Sequence, residues 1–542
     1  MLRIRSLGTV AYHEADALQH ALALRATDDY LLLLQHPHTY TLGAHADERH
    51  VLVDPASVGA VLARADRGGD VTYHGPGQLV AYPVVTVAAG PAAGPAHVRR
   101  LEQVVIDTLA DVGLPGASRL AGYPGVWVGA GGAEPHKVAA IGVRTVRDEA
   151  GRRRTLHGVA LNVECDLAMF GHIVPCGIED KGVTSLRAEG VDVSLDAVVD
   201  AFAARAAAAF GRGEIERRDV ITGVATRPGP AGTVPLERPL VRRLRQAGVA
   251  PEDGLELHER KPPWLRVPVR MGSGYRALGA TVRDLGLVTV CEEAGCPNIY
   301  ECWSGGTATF MINGERCTRA CGFCKVDTRH PLPLQADEPD RVARAVEKMG
   351  LAHAVVTCVA RDDLADGGAG AMAETIRAIR ERSPGTAVEV LISDCRGDAA
   401  SLATIFEARP DVLNHNIETV ARLQRAVRPS AGYARSLGVL ARAADTGLVT
   451  KSGLMVGLGE DDDEVVATMA DLRGVGVSIV TVGQYLRPSR DHLPVARYWR
   501  PEEFDRLREA GRALGIDHVE ASPLTRSSYH AREAASAAAA SH

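Results

Sequence analysis

The chain lacks any excess of positive charge. Its 61 lysines and arginines face 67 aspartates and glutamates over 542 residues, a net of −6. That balance gives no field for a phosphate backbone and argues against nucleic acid as a partner. A long uncharged apolar run is also missing, and Met1-Leu-Arg-Ile-Arg-Ser6 has no apolar signal core. Neither a membrane span nor an export signal is therefore expected, and a cytoplasmic location is the default. In that compartment ten cysteines point to metal or catalytic work over disulfides. No internal repeat relates the two halves. The remaining composition, 46% apolar and 24% charged, fits globular protein, and the length accommodates roughly two to four domains.

Six of the cysteines fall within residues 291–324, while Cys165, Cys176, Cys358 and Cys395 are scattered. Cys317, Cys321 and Cys324 stand as C-x3-C-x2-C, which can place three thiolates around one metal centre. A structural zinc normally takes four ligands, and electron-transfer clusters are commonly held by four cysteines. Three thiolates on a 4Fe–4S cube leave one iron open to another molecule. Cys291, Cys296 and Cys302 form a second odd set, C-x4-C-x5-C. Two separate clusters fit this better than one six-cysteine site.

Residues 1–215 alternate helical and extended patterns, with a helix expected over 11–26 and a buried strand at Tyr30-Leu-Leu-Leu-Leu34. In Arg67-Gly-Gly-Asp-Val-Thr-Tyr-His-Gly-Pro-Gly-Gln78 the glycines and Pro76 force an irregular loop with close backbone approach. Lys137 opens an apolar strand, either partly desolvated or turned to water at a strand end. Cys176 sits on a Pro-Cys-Gly turn, a placement also compatible with an inert thiol. Residues 216–245 lose periodicity and gain Pro and Gly, as a linker does. From 246 a second module begins. After Cys324, strand-like runs alternate with helical stretches in the manner of a barrel, with too few units to close one. Polar residues crowd the strand ends: Arg361 to Asp363, Asp394, Asn414 to Asn416 with Glu418, Lys451 and Gln484. The Ala/Ser-rich 533–542 is expected to be a disordered tail.

Arg67–Gln78, Lys137–Val143, His157–Asn162 and Pro175–Ile178, in that order, resemble lipoyl(octanoyl)transferase. The resemblance implies an α/β fold of the biotin and lipoate protein ligase type over residues 1–215. It implies Cys176 as the nucleophile that takes octanoyl from acyl carrier protein, with Lys137 beside it lowering the thiol pKa and then acting as acid/base. A lysine of a lipoyl carrier domain, in 2-oxoacid dehydrogenase or glycine cleavage proteins, would accept the acyl group. Arg67, Gly68, Gly69, Asp70, Val71, Thr72, Tyr73, His74, Ala140, Ile141, Gly142, Gly158, Val159 and Ala160 would line the acyl pocket.

The aromatic Phe323 before Cys324 makes the C-x3-C-x2-C loop resemble that of radical S-adenosylmethionine (SAM) enzymes. With Cys291–Cys302, Asn414-His-Asn-Ile-Glu-Thr419, Lys451–Glu460, Gly483–Leu486 and Arg526-Ser-Ser-Tyr529, residues 246–532 resemble lipoyl synthase. That family implies a partial (β/α) barrel, two 4Fe–4S clusters and SAM. One cluster would sit on Cys317, Cys321 and Cys324; the auxiliary one on Cys291, Cys296 and Cys302 would take Ser527, in preference to Ser528, as fourth ligand. Hydrogen removal from C6 and C8 of a protein-bound octanoyl chain, sulfur insertion and an electron donor such as ferredoxin or flavodoxin are implied with it. A bifunctional lipoate-biosynthesis chain follows. A different sulfur-inserting radical enzyme, a non-catalytic cluster scaffold and an ATP-dependent ligase half are the competing expectations.

Overall fold

The computed structural model describes residues 1–178, 180–221, 239–266, 273–293, 296, 298–304 and 307–539, the side chains of 273–278, 291, 293, 304, 536, 537 and 539 excepted. It divides into two compact units, Met1–Val220 and Ile221–His542.

The first unit is built on a ten-stranded mixed sheet. From edge to edge its main path runs Ile215–Arg217, Leu2–Thr9, Asp29–Gln35, Gln78–Val84, Arg153–Asn162, His136–Arg147, Tyr123–Val128 and Ser118–Leu120. The leucine run at 31–34 is buried on both faces because this strand is central. Helices Ala93–Asp111 and Leu195–Phe210 lay Leu101, Val105, Leu109, Phe202 and Ala206 on Leu31, Leu33, Leu79 and Leu161. A three-stranded sheet with Thr39–Leu42 at its centre carries Thr72–His74 on one side and Val61–Arg64 on the other.

The second unit is an eight-stranded sheet in the order Val288–Thr289, Thr307–Ile312, His353–Cys358, Ala387–Leu391, Val412–Asn414, Val449–Val456, Ile479–Gln484 and His518–Ser522. After the first, antiparallel pair every neighbour is parallel. Parallel strands need crossovers, and helices Glu338–Met349, Ala369–Arg382, Ala399–Glu407, Tyr433–Asp445, Asp462–Gly474 and Pro501–Ala513 supply them. The terminal strands stay at opposite edges, so the barrel is open, as the short repeat count implied.

Two stretches differ from expectation. The ends of 216–245 carry regular structure: Arg218 and Val220 donate backbone hydrogen bonds to the Ile4 and Ser6 carbonyls at 3.0 and 2.8 Å, and Pro239–Gln246 is a helix with Leu244 buried. Residues 222–238 lie outside the described residues. The tail forms a helix, Ala531–Ala539, whose Ala534 and Ala538 pack on Val412 and Ile479 at the strand N-termini. Low-complexity composition suggested disorder, but alanine is the best helix former and is small enough to seal the barrel floor.

Candidate active sites

A cavity of about 330 Å³ opens in the first unit. Of the expected residues, Arg67, Gly68, Gly69, Asp70, Thr72, His74, Lys137, Ala140, Ile141, Gly142, Gly158, Val159, Ala160 and Cys176 line it. The glycines are there for space. A side chain at Gly142 would press on Arg67 and the Gly68 carbonyl, and one at Gly158 would strike the Ala81 carbonyl. Cys176 holds a left-handed φ of 57° on the turn Pro175–Gly177, its N–H donating to the Val71 carbonyl at 2.8 Å. Such a conformation is costly for a residue with a Cβ and persists where surroundings enforce it. Beside it the Asp70 carboxylate bonds His50 Nδ1 at 2.5 Å and the Val71 N–H at 2.6 Å. Lys137 rests its ammonium 4.8 Å from the centre of the Trp127 ring.

Val71 and Tyr73 depart from the expected lining. The strand Thr72–His74 alternates faces, so Thr72 and His74 reach the cavity while Val71 and Tyr73 pack with Tyr40, Phe170 and Ile173 behind it. The Tyr73 hydroxyl bonds His38 Nδ1 at 2.7 Å. Several wall residues escaped sequence reasoning: Tyr12, Tyr82, Tyr123 and His157. His157 alone carried a signal, since it lies in a quoted motif; its φ is 58° and its Nε2 bonds Asp66 at 2.5 Å.

In the second unit the cysteine loop follows the strand Thr307–Ile312 and enters a cavity of about 400 Å³ lined by Cys317, Cys321 and Cys324 together. Arg319, inside the loop, donates to both oxygens of Asp362 at 2.8 Å and to Asp394 at 2.6 Å. Burial, opposed by Arg428 and aided by the nearby Cys324, Glu418 and Cys317, pushes the Cys321 thiol up to about 12. Thiols so placed ionise only against a cation, which is what iron provides. Among the described residues no three His, Cys, Asp or Glu side chains converge on a single metal ion. Three thiols on one loop, facing one cavity, are the donor set that an iron–sulfur cluster would take. Asn416, Glu418, Arg428 and Gln484 share the wall. Glu418 is half-buried, accepts from Asn416 Nδ2 at 3.1 Å, and its carboxyl is raised by loss of solvent around it.

A neighbouring cavity of about 370 Å³ is lined by Cys296, Glu389, Asn414, Arg526, Ser527 and Ser528. Ser527 lines both cavities and accepts from Asn416 Nδ2 at 3.3 Å. Cys302 packs at the edge of the hydrophobic core, and the Cys291 side chain lies outside the described residues. The other polar strand ends serve structure: Arg361 pairs with Asp363 at 2.9 Å, and buried Lys451 with Glu389 at 2.9 Å. Cys165 and Cys395 are buried thiols, whereas Cys358 reaches the cysteine-loop cavity.

Comparison with known proteins gives three family matches. Residues 11–207 match the lipoyl protein ligase A/B catalytic domain, residues 247–296 the N-terminal domain of lipoyl synthase, and residues 311–472 the radical SAM superfamily. Over 275 residues, 50% of this chain and 86% of the relative, it is 59% identical to lipoyl synthase of Rubrobacter xylanophilus. The chain belongs to the lipoyl synthase family. Lipoyl synthase of Mycobacterium ulcerans is 52% identical over 309 residues, covering 57% of this chain and 94% of that one. A bipartite lipoate protein ligase structure from Thermoplasma acidophilum aligns at 21% identity and a TM-score of 0.34 over 40% of this chain and 85% of that chain. The second unit of this lipoyl synthase family member is thus a radical SAM sulfurtransferase, of a family that uses SAM and two 4Fe–4S clusters. Its first unit is a lipoate-ligase-like domain, and the whole chain serves lipoate biosynthesis. No helix among the described residues is long and apolar enough to cross a membrane.

Proposed function

We propose that the chain performs two consecutive steps: octanoyl transfer from acyl carrier protein to a carrier lysine through a Cys176 thioester, then insertion of sulfur at C6 and C8 of that chain. The observation that carries the first step is a cysteine and a lysine on the wall of one cavity whose other lining is largely glycine, alanine and apolar residues. Cys176 Sγ would attack the carrier thioester, its new S–C bond forming as the carrier thiolate leaves and takes a proton. The incoming lysine amine would then displace Cys176, giving its proton to Lys137. The adduct needs no ATP, which separates this reading from a ligase.

For the second step, Cys317, Cys321 and Cys324 would hold one cluster, and Cys291, Cys296, Cys302 and Ser527 the auxiliary one. Bound there with SAM, these groups would supply a radical able to take hydrogen from an unactivated carbon, and the sulfur. The residues' own part is to fix the loop, through Arg319, and to present Ser527 where the two cavities meet. The acyl donor would be octanoyl acyl carrier protein, and ferredoxin or flavodoxin the reductant.

Intact mass after exposure to octanoyl acyl carrier protein, paired with an iron count on anaerobic protein, tests both halves. An octanoyl adduct absent from Cys176→Ser, with about eight irons per chain, is the expected result. An adduct that survives Cys176→Ser removes the first step; about four irons would remove the two-cluster assignment. Ser527→Cys should retain iron and lose most product, because thiolate is the stronger ligand, and unchanged turnover would exclude Ser527 as a ligand.

A further inference from the structure

The cysteine loop is anchored twice. Its first half is held at the strand ends: Arg319 reaches Asp362 and Asp394, and Thr318 Oγ1 donates to the Ala360 carbonyl at 3.0 Å. Its second half is held by residues 487–493, which follow the strand Ile479–Gln484. There the Leu493 N–H donates to the Gly322 carbonyl at 2.9 Å, and His492 Nε2 bonds the Cys324 carbonyl at 2.9 Å. The two contacts bracket Phe323. Gly322 lies so close to the Leu493 side chain that a Cβ would meet it at 2.7 Å. Arg487 ties the segment into a turn, its Nε donating to the Ser489 and His492 carbonyls at 3.1 and 3.0 Å and its Nη2 to the Arg490 carbonyl at 2.8 Å. The buried Tyr485 closes it, its hydroxyl donating to the Leu493 carbonyl at 2.9 Å.

The partners of His492 fix where its proton sits. A carbonyl only accepts, so Nε2 carries the hydrogen, and Nδ1 of the neutral ring is left as an acceptor. Ser489 Oγ lies 2.8 Å from Nδ1 and already accepts from the Asp491 N–H at 3.2 Å, so its own hydrogen goes to the ring. The polarity of the whole chain is thus set, from the Asp491 N–H through Ser489 and His492 to Cys324. We infer that His492 is a positioning residue for the cluster on Cys317, Cys321 and Cys324: oriented by Ser489, it fixes the Cys324 backbone and places the positive end of an N–H dipole beside that cluster. Groups behind the ligands orient them, and losing one costs roughly 10- to 100-fold in metal affinity. Hydrogen bonding around a cluster also sets its reduction potential. The inference rests on the proposed assignment of a cluster to these three cysteines.

Iron release from the anaerobic full chain on dialysis, with an EPR-monitored reductive titration, tests this. His492→Leu should release about half of the iron at least tenfold faster than the wild-type chain, the auxiliary half staying bound. The potential of the cluster remaining at the cysteine loop should fall, because its reduced form loses a favourable dipole. His492→Gln, whose amide N–H can reach the same carbonyl, should bring retention back to within a few-fold and the potential back towards wild type. Ser489→Ala leaves the ring in place without its orienting donor and should release the same iron a few-fold faster, which decides the matter should His492→Leu not fold. Wild-type retention in His492→Leu, faster release with an unchanged potential, no rescue by glutamine, or equal loss from both clusters would each overturn the assignment; so would wild-type retention in Ser489→Ala. Cys324→Ala that releases no iron would instead defeat the cluster reading itself, whatever the histidine variants do.

Discussion

Asp394, His36 and His97 show how burial sets what a residue can do. Asp394 is fully buried and held down to about 2, against the burial penalty, by its hydrogen bond and charge attraction to Arg319. Arg319→Gln leaves that carboxylate with the Arg396 N–H at 2.9 Å and Arg435 at 3.6 Å. Loss of about 3 kcal/mol from the second unit is expected by chemical denaturation, because a buried charge loses its nearest counter-charge. Iron should also be released faster on dialysis, since the same arginine fixes the cysteine loop. In the first unit, burial pushes His36 and His97 down to about 4. Their folded values lie below the ordinary one of about 6.5, so below that pH the unfolded chain takes up protons that the folded one refuses. The stability they contribute is therefore present above about pH 6.5 and is lost as pH falls towards 4, about 1.4 kcal/mol each by pH 5.5. Thermal unfolding from pH 7 to pH 5 should show it. The His97 ring nitrogens have no hydrogen-bond partner and the ring lies 5.5 Å from Phe210. His97→Phe should accordingly hold stability at pH 7 and flatten the decline; an unaltered pH slope would show that His97 is not among its causes.

Among the elements, the end of the strand Ile479–Gln484 meets the loop that carries Ser527. Gly483 lies against the Thr525 carbonyl with no room for a Cβ. Gly483→Ala should displace Arg526 to Ser528 and lower product formation at least tenfold, while SAM affinity at the cysteine loop falls much less. Equal loss of both would place the damage in the fold at large. The cysteine spacings and strand positions were legible in the sequence because they are local: three residues on one loop, or a run of five apolar side chains, need no partner to be recognised. The cavity walls were legible along the loop Arg67–Asp70 and along the strand stretches Ala140–Gly142 and Gly158–Ala160. Across Val71–His74 a period of two decides which side chain faces the cavity, and an unbroken motif hides it, so Val71 and Tyr73 lie behind the wall. Tyr12 and Tyr82 arrive from a helix and a strand distant in sequence, where either reads as core. The alanine tail misled for another reason: composition reports solubility of a segment alone, and this one has a barrel floor to cover.

At the scale of the whole chain, each unit owns a core, one around Leu31, Val105 and Phe202, the other around Phe310, Val356 and Ile376. Residues 1–220 and 221–542, expressed apart, should each unfold cooperatively, as judged by calorimetry. Mixed at nanomolar concentration with an acyl carrier, they should convert it more slowly than the joined chain, because a tether sets a high local concentration; equal rates would show that linkage confers no kinetic benefit. The first unit begins and finishes side by side, Leu2–Thr9 lying in register with Ile215–Arg217. The pair is parallel, so the chain enters at one end of this ladder and leaves at the other, and either terminus can be joined to a neighbour without breaking a ladder hydrogen bond. In evolutionary terms, the genetic accident that joins two such reading frames starts close to neutral for folding, and selection is left to act on the traffic between the two catalysts.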